Sequence, residues 1–175
     1  MIQLYTGQGK GKTTAAIGQA VRAAGREYDV VFAQFMKGGD SGELHVMSEV
    51  ENIKIMRSEK EFGFYHTLSV KEKEELTKIH NKILDALLEF AEEKTEQKED
   101  AMIILDEVTY PLNWKLLDEG RLQKLLEYGK MGVEIVMTGR DAESFLTKCA
   151  DYITEMKCLR HPYETGISAR KGIEY

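Results

Sequence analysis

The stretch MIQLYTGQGKGKTTAAIG, residues 1–18, decides the fold of this chain. A short apolar run leads into three glycines at alternate positions, which are Gly7, Gly9 and Gly11. Lys12 and Thr13 follow at once, and a helix is predicted from about Thr14 to Ala24. Glycines remove the Cβ atoms that would keep a ligand from the backbone, and a helix N-terminus offers unpaired N–H donors. The stretch therefore predicts a strand, an anion-binding turn and a helix.

This turn is a variant of the phosphate-loop pattern. The strict pattern has glycine at the position of Thr6, whereas here the glycine is displaced by one to Gly7. A dinucleotide fingerprint fits worse, because counting G-x-G-x-x-G from Gly7 or Gly9 ends at a lysine or a threonine. The alternative is a flexible turn that is merely rich in glycine. We expect a phosphate loop in which Lys12 reaches the outer phosphates and the Thr13 hydroxyl binds Mg²⁺.

An acidic element later in the chain supports this interpretation. MIILDE (102–107) is an apolar strand that ends in two carboxylates, of which Asp106 can hold Mg²⁺ and Glu107 can face the substrate. In an open parallel sheet, ligands collect at the carboxyl ends of the strands. We therefore expect Lys37 and Gly38, which follow VVFAQFM, to lie at the same edge as Thr138, Gly139 and Arg140, which follow VEIVM.

Apolar runs alternate with helical patterns along the whole chain. The predicted strands are IQLY (2–5), VVFAQF (30–35), IKIM (53–56), MIIL (102–105), VEIVM (133–137) and YIT (152–154). The clearest helix runs from Ser69 to about Lys94, with Ser69 and Glu72 as a capping box and the charged run EEKTEQKED (92–100) ending it in solvent. Continuously apolar strands are typical of a sheet covered on both faces. We predict an α/β fold: one P-loop NTPase-like (RecA-like) domain over residues 1–175, with a mainly parallel sheet flanked by helices.

Composition limits the partners of the chain. Among its 175 residues, 24 are Lys or Arg and 30 are Asp or Glu, so the net charge is −6. This charge argues against nonspecific binding to nucleic acid or to an anionic membrane. No apolar run reaches the roughly 18 residues of a membrane span, and the N-terminus lacks a signal-peptide pattern. The two cysteines, Cys149 and Cys158, form no CxxC pair, so we expect reduced thiols. From the net charge we expect small partners, and from the lack of a span and of a signal-peptide pattern we expect a cytoplasmic location.

These features predict a Mg-nucleotide site but leave its reaction open. A hydrolase would use Glu107 to orient water. A kinase would need an acceptor pocket and an arginine beside the transferring phosphoryl group.

Several sequence blocks accompany the glycine turn in a fixed order. They are TGQGKGKTTAAIGQAVRA (6–23), QFMKG (34–38) with GE (42–43), LDEVTY (105–110), TGR (138–140) and ADYITEMKCLRHPYETGISARKGIEY (150–175). This order and the C-terminal run resemble the ATP:corrinoid adenosyltransferases of the cobalamin-salvage type over almost the whole chain. The resemblance implies that a Co(I) corrinoid attacks C5′ of ATP, forming a cobalt–carbon bond and releasing tripolyphosphate.

In this reaction the resemblance places the glycine turn around the leaving group. Lys12 and Glu107 are then the catalytic residues, and Lys12 with the turn's amides stabilises charge that develops as the C5′–O bond breaks. Thr13, with Asp106 or Glu107, would hold Mg²⁺. The expected binding residues are Gly7, Gln8, Gly9, Lys10, Gly11, Lys12, Thr13, Thr14, Arg22, Lys37, Phe62, Phe64 and Arg140. For Arg22, a surface position without ligand contact is the alternative.

The resemblance implies aromatic contacts to the corrinoid. Removing the axial ligands of Co(II) in an apolar site favours the less charged Co(I), and the family uses aromatic side chains after the third strand for this. Here EFGFYH (61–66) supplies Phe62, Phe64 and Tyr65. Phe64 stands where longer members would have a tryptophan. The alternative is that these aromatics fill the core.

The resemblance also implies partners and a cover for the site. It implies a reduced flavoprotein as electron donor, and a homodimer. Longer relatives carry an N-terminal extension over the corrinoid site, whereas Met1 here lies just before the first strand, so we expect looser corrinoid binding or a cover from another segment or subunit. Two alternatives to adenosyl transfer stay open: a P-loop phosphotransferase or ATPase, and a non-catalytic protein that binds ATP and corrinoid.

Overall fold

The strands of this protein form one parallel sheet in the computed structural model, which describes residues 1–173. The sheet contains six strands in the order β3-β2-β4-β5-β1-β6. The strands are β1 (Ile2–Thr6), β2 (Asp29–Gln34), β3 (Ile53–Arg57), β4 (Ala101–Asp106), β5 (Glu134–Thr138) and β6 (Tyr152–Glu155). All the predicted strands are present, so the predicted α/β fold with a parallel sheet is confirmed. Residues 174–175, which end the C-terminal block, lie outside the described residues.

Helices connect the strands and cover both faces of the sheet. They are α1 (Lys12–Ala24), α2 (Gly42–Met47), α3 (Val70–Gln97), α4 (Thr109–Asn113), α5 (Glu119–Lys130) and α6 (Ser144–Cys149), with 3₁₀ turns at Tyr65–Thr67 and Pro162–Thr165. The predicted capping box of α3 is present, because Ser69 Oγ accepts from the Glu72 amide and the Glu72 carboxylate accepts from the Ser69 amide. Among the described helices, none is long and apolar enough to cross a membrane.

The core consists of two apolar layers, one on each face of the sheet. On one face, side chains such as Leu4, Ile103 and Ile135 pack against α3 and α5. On the other face, side chains such as Phe32 and Ile104 pack against the alanines of α1. β4 is buried along its whole length because it lies inside both layers. This explains why its sequence is continuously apolar until the acidic residues at its end.

Strand order determines which loops meet at the carboxyl edge of the sheet. β5 lies between β1, which leads into the glycine turn, and β4, which ends at Asp106. The last residue of β5, Thr138, therefore stands between the two features that the sequence singled out. The edge strand β6 pairs with β1 alone, and its four residues are exposed.

Candidate nucleotide site

The glycine turn joins β1 to α1 at the carboxyl edge of the sheet. Gly7 and Gly11 have φ angles of 96° and 110°, a left-handed conformation in which an L side chain is strained. Gly11 is the N-cap residue of α1, so the turn ends where the unpaired N–H groups of the helix begin. This is the local geometry of an anion site at a helix N-terminus.

The middle of the turn packs against the chain that continues from β6. The Gly9 amide donates to the Met156 carbonyl oxygen at 2.6 Å. A Cβ on Gly9 would lie 2.6 Å from that oxygen and 2.9 Å from the carbonyl carbon of Lys157, and one on Gly7 would also meet Met156. Both glycines are therefore needed for a close approach of two backbones, in addition to any approach of a ligand.

Lys12 folds back over the turn. Its ammonium donates to the carbonyl oxygens of Gly7 at 2.7 Å and of Gly9 at 2.8 Å. Burial, and then the positive charge of Arg140, lower the pKa of Lys12. A polyanion bound at the turn would oppose both effects, because an opposite charge favours the charged form of an amine.

Asp106 is the most deeply buried charged group of the site, with 0% of its surface exposed. Its Oδ1 accepts from the Thr13 hydroxyl at 2.8 Å and from the Thr138 hydroxyl at 2.7 Å. Its Oδ2 accepts from Gln34 Nε2 at 3.2 Å and lies 3.7 Å from Lys37 Nζ. One carboxylate thus joins the ends of β2, β4 and β5 to the first turn of α1.

Glu107 has a strained backbone that is held by hydrogen bonding. Its φ is 61°, and its amide donates to Thr138 Oγ1 at 2.8 Å, the same hydroxyl that donates to Asp106. Its carboxylate lies 3.6 Å from Lys37 Nζ. Burial raises the pKa of Glu107, against the lowering effect of Lys37. The structure therefore brings Lys37 together with both acidic residues.

Arg140 follows a glycine that admits no side chain. Gly139 has a φ of 153°, and a Cβ there would collide with the side chain of the buried Thr109. The close packing of Gly139 on Thr109 fixes the start of the loop that carries Arg140. The charge of Arg140 acts on both Lys12 and Tyr110, so this arginine lies at the same edge of the sheet.

Four of the predicted binding residues have other surroundings. Arg22 lies in the last turn of α1, about 15 Å along the helix axis from Lys12, and donates to Gln19 at 3.5 Å. Gln8 donates to the Asp141 carboxylate at 3.3 Å, Lys10 donates to the Ile173 carbonyl at 2.9 Å, and Thr14 is exposed in the first turn of α1. Arg22 is exposed there, about three helical turns from the glycine turn.

An aromatic cluster, formed by Tyr65, Tyr110 and Trp114, lies beside the charged residues. The rings of Tyr65 and Trp114 stack with their centroids 4.3 Å apart, and Tyr110 lies 5.3 Å from Trp114. Burial raises the pKa of Tyr110, and the charges of Arg140 and Glu107 also act on it. The cluster therefore borders the site.

The two phenylalanines predicted to contact the corrinoid differ in environment. Phe62 is half-buried and packs with Leu68, Leu76 and Leu116, and Lys60 Nζ lies 4.6 Å above its ring. Phe64 is 83% exposed. The alternative that these aromatics fill the core therefore holds in part for Phe62 and does not hold for Phe64.

Three further residues shape this site, and of these the sequence reasoning expected Thr138 at this edge of the sheet but did not select Gln34 or Met156. Gln34 and Thr138 bind Asp106 from neighbouring strands, and Met156 receives the Gly9 amide. Gln34 is the last residue of β2, as Thr138 is of β5, so a search of all strand ends for hydrogen-bonding side chains would have found Gln34 too. Met156 acts through its backbone, which leaves no signal in its residue type.

Together the fold and the site define a phosphate-loop nucleotide-binding protein. The cytoplasmic domain of EssC is similar in fold, with a TM-score of 0.56 and 13% identity over 97% of this chain, which spans 33% of the length of that one. The model of the ATP:corrinoid adenosyltransferase family BtuR/CobO/CobP matches residues 1–175. This chain belongs to that family.

Curated relatives agree with this assignment. A corrinoid adenosyltransferase of Sinorhizobium sp is 31% identical, and the match covers 100% of this chain and 80% of the relative. A corrinoid adenosyltransferase of Escherichia coli K12 is 29% identical, with coverage of 100% and 85%. The resemblance stated from the sequence blocks is thus confirmed.

Replacing Gly9 by alanine tests the packing of the turn on residues 156–157. The added Cβ would collide with backbone atoms on both, and we expect the free energy of unfolding to fall by about 1–3 kcal/mol, as for other overpacked positions. Gly18→Ala in α1 is the control, because nothing lies within 4 Å of its Cβ and a helical alanine stabilises by about 0.5–1 kcal/mol. Urea unfolding measures both, and a Gly9→Ala variant as stable as the parent would contradict the packing.

Replacing Glu107 by glutamine tests the cost of its partly buried charge. Because the pKa of Glu107 is raised in the folded state, stability falls as the pH rises from the ordinary value of 4.5 through the folded pKa. We expect Glu107→Gln to remove this loss and to be more stable than the parent at about pH 8, with the difference shrinking toward acid. Exposed Glu92→Gln is the control for loss of a carboxylate. Urea unfolding at several pH values decides, and a variant that is less stable at neutral pH would refute the prediction.

Proposed function

We propose that this chain transfers the 5′-deoxyadenosyl group of ATP to the cobalt of a Co(I) corrinoid, in cobalamin biosynthesis or salvage. The cobalt supplies the electron pair of the new bond to C5′, and the C5′–O bond breaks with release of tripolyphosphate. The proposal rests on one structural observation in a chain that matches the adenosyltransferase family over residues 1–175. The glycine turn is joined to a buried acidic strand end by the hydrogen bond from Thr13 to Asp106.

The triphosphate would lie on the glycine turn. The N-terminus of α1 faces it with unpaired amides, and three cations border the same edge of the sheet: Lys12, Lys37 and Arg140. The Gly9 amide donates to Met156 and so is not among the phosphate donors in this structure. Charge grows on the leaving oxygen as C5′–O breaks, and fixed cations and amides at that position lower the barrier.

The residues present fit a Mg²⁺ ion. Thr13 and Asp106 are oxygen donors 2.8 Å apart, and Mg²⁺ is commonly held by one or two protein oxygens together with phosphates and water. Within residues 1–173, the buried Gln34 Oε1 accepts no hydrogen bond, so it can accept one from a metal-bound water. The ion would neutralise phosphate charge when bound. Glu107, which lies beside Lys37, would help to hold or position the Mg²⁺ ion rather than activate water.

The corrinoid would lie against the aromatic side of the site. Phe64 projects into solvent. Phe62, Tyr65 and Trp114 pack on one apolar group, and Tyr110 of the aromatic cluster lies next to Arg140 and Glu107. Apolar contacts at this place would exclude water from the axial positions of the cobalt and favour its lower oxidation state. A reduced flavoprotein donor and a homodimer carry over from the family resemblance as expectations, and a cytoplasmic location carries over from the sequence pattern.

The function is tested by incubating the purified protein anaerobically with cob(I)alamin, MgATP and buffer. Adenosylcobalamin is followed by its light-sensitive absorbance, and phosphate products are separated in parallel. We expect adenosylcobalamin and tripolyphosphate in equal amounts, and neither with Lys12→Ala. If only ADP and phosphate formed, the chain would be a phosphotransferase or ATPase. If both ligands bound and neither changed, it would be a binding protein.

Replacing Phe64 by alanine tests the corrinoid side. Because Phe64 is exposed, we expect unchanged stability, and a loss of one aromatic contact should lower kcat/KM for cob(I)alamin about two- to tenfold. The KM for ATP should not change. Phe62→Ala is the matched comparison, since loss of its packing should lower the melting temperature as well. A Phe64→Ala variant that loses ATP binding instead would place this residue on the nucleotide side.

A further inference from the structure

A buried histidine lies outside every role described so far. His80 on α3 is 1% exposed, and the Phe35 ring stands edge-on to it with centroids 5.4 Å apart. Its Nε2 accepts from the Met36 amide at 3.5 Å, and its Nδ1 lies 3.3 Å from the Leu116 carbonyl oxygen. Both contacts are long for hydrogen bonds, but the ring is shielded from water.

These two contacts require one neutral form of the ring. A backbone amide can only donate and a backbone carbonyl can only accept, so the proton belongs on Nδ1 and the lone pair on Nε2. Burial lowers the pKa of His80 to about 4, which keeps the ring neutral near pH 7. The imidazole therefore works as a fixed bridge between two segments of backbone.

Both segments are turns with unfavourable backbone angles. Met36 has a φ of 59°, and Lys115, directly before Leu116, has a φ of 56°. In residues other than glycine the left-handed conformation costs free energy, so it persists only where the surrounding structure holds it. His80 supplies a side-chain partner to the backbone at each turn, 44 and 36 residues away along the chain.

Each turn leads to a different half of the site. The turn at Met36 presents Lys37 to the carboxylates of Asp106 and Glu107. The turn at Leu116 follows Trp114, which stacks on Tyr65 in the aromatic cluster. Met36, Leu116, Tyr65 and Trp114 pack in one apolar group, which leaves His80 as the polar link between the two turns.

We infer that His80 is a positioning residue that fixes Lys37 and the aromatic cluster relative to each other. One side chain then determines how the nucleotide half and the corrinoid half of the site are placed. This inference rests on the proposed function in assigning the two halves to ATP and corrinoid. Its structural part, a common support for two turns, does not depend on that function.

The inference is tested with three variants. His80→Leu fills the space without polar groups, and His80→Gln retains one donor and one acceptor. Asn81→Ala is the control, because Asn81 is the next residue of α3 and accepts from the Asp118 amide at 2.8 Å without a contact to Met36. The readouts are the melting temperature, KM and kcat for MgATP and cob(I)alamin, and the emission of Trp114, the single tryptophan of the chain.

We expect His80→Leu to raise the KM for both substrates fivefold or more and to shift Trp114 emission to longer wavelength. His80→Gln should restore most of the two KM values and of the Trp114 emission, and Asn81→Ala should change neither KM. A fall in kcat with both KM values unchanged would mean only a smaller folded fraction and would overturn the inference, as would an unchanged Trp114 emission in His80→Leu. If His80→Leu does not fold, His80→Gln decides: KM values raised by more than fivefold despite its retained polar groups would overturn the inference, and near-normal values would support it.

Failure of the proposed function gives a different result. In that case the parent protein forms no adenosylcobalamin, while Trp114 emission and equilibrium binding of MgATP still report whether His80 supports both turns.

Discussion

The rest of the site depends on one buried carboxylate. Asp106 has no contact with solvent, so its charge must be met by the protein itself, and donors come from α1, β2 and β5. Removing any one donor would leave the buried charge less well paired. The positions of α1, β2, β4 and β5 therefore depend on one another. The relative position of the glycine turn and the acidic strand end is thereby determined before any ligand arrives.

The glycine turn serves two partners with one set of residues. In the proposed function the helix N-terminus at this turn binds the triphosphate, while Gly7 and Gly9 permit Met156 to pack closely on the turn. The glycines are therefore explained by the packing of Met156 on the turn as well as by the binding of a ligand. Lys12 also supports the turn itself, since its ammonium donates hydrogen bonds to the carbonyl oxygens of Gly7 and Gly9.

Sequence reasoning predicted those features that are encoded locally. Continuous apolar runs identified all the strands, because both faces of each central strand must be covered, and Ser69 with Glu72 identified the start of α3. It expected Thr138 at the carboxyl edge but did not select Gln34. The hydrogen bonds of both side chains to Asp106 arise from strand order, which places β2 and β5 on either side of β4. Arg22 was grouped with the site by its motif, whereas the length of α1 carries it away. The contact at Met156 is made by a backbone group, which no residue type can signal.

The pairing of β1 with β6 bears on how the protein is made. Gly9 and Met156, against which it packs, are 147 residues apart along the chain. Contacts between residues so far apart in sequence close slowly because a long loop must be ordered first. During synthesis the glycine turn therefore stays without this packing partner until β6 and Met156 have been made, well after β1 and α1.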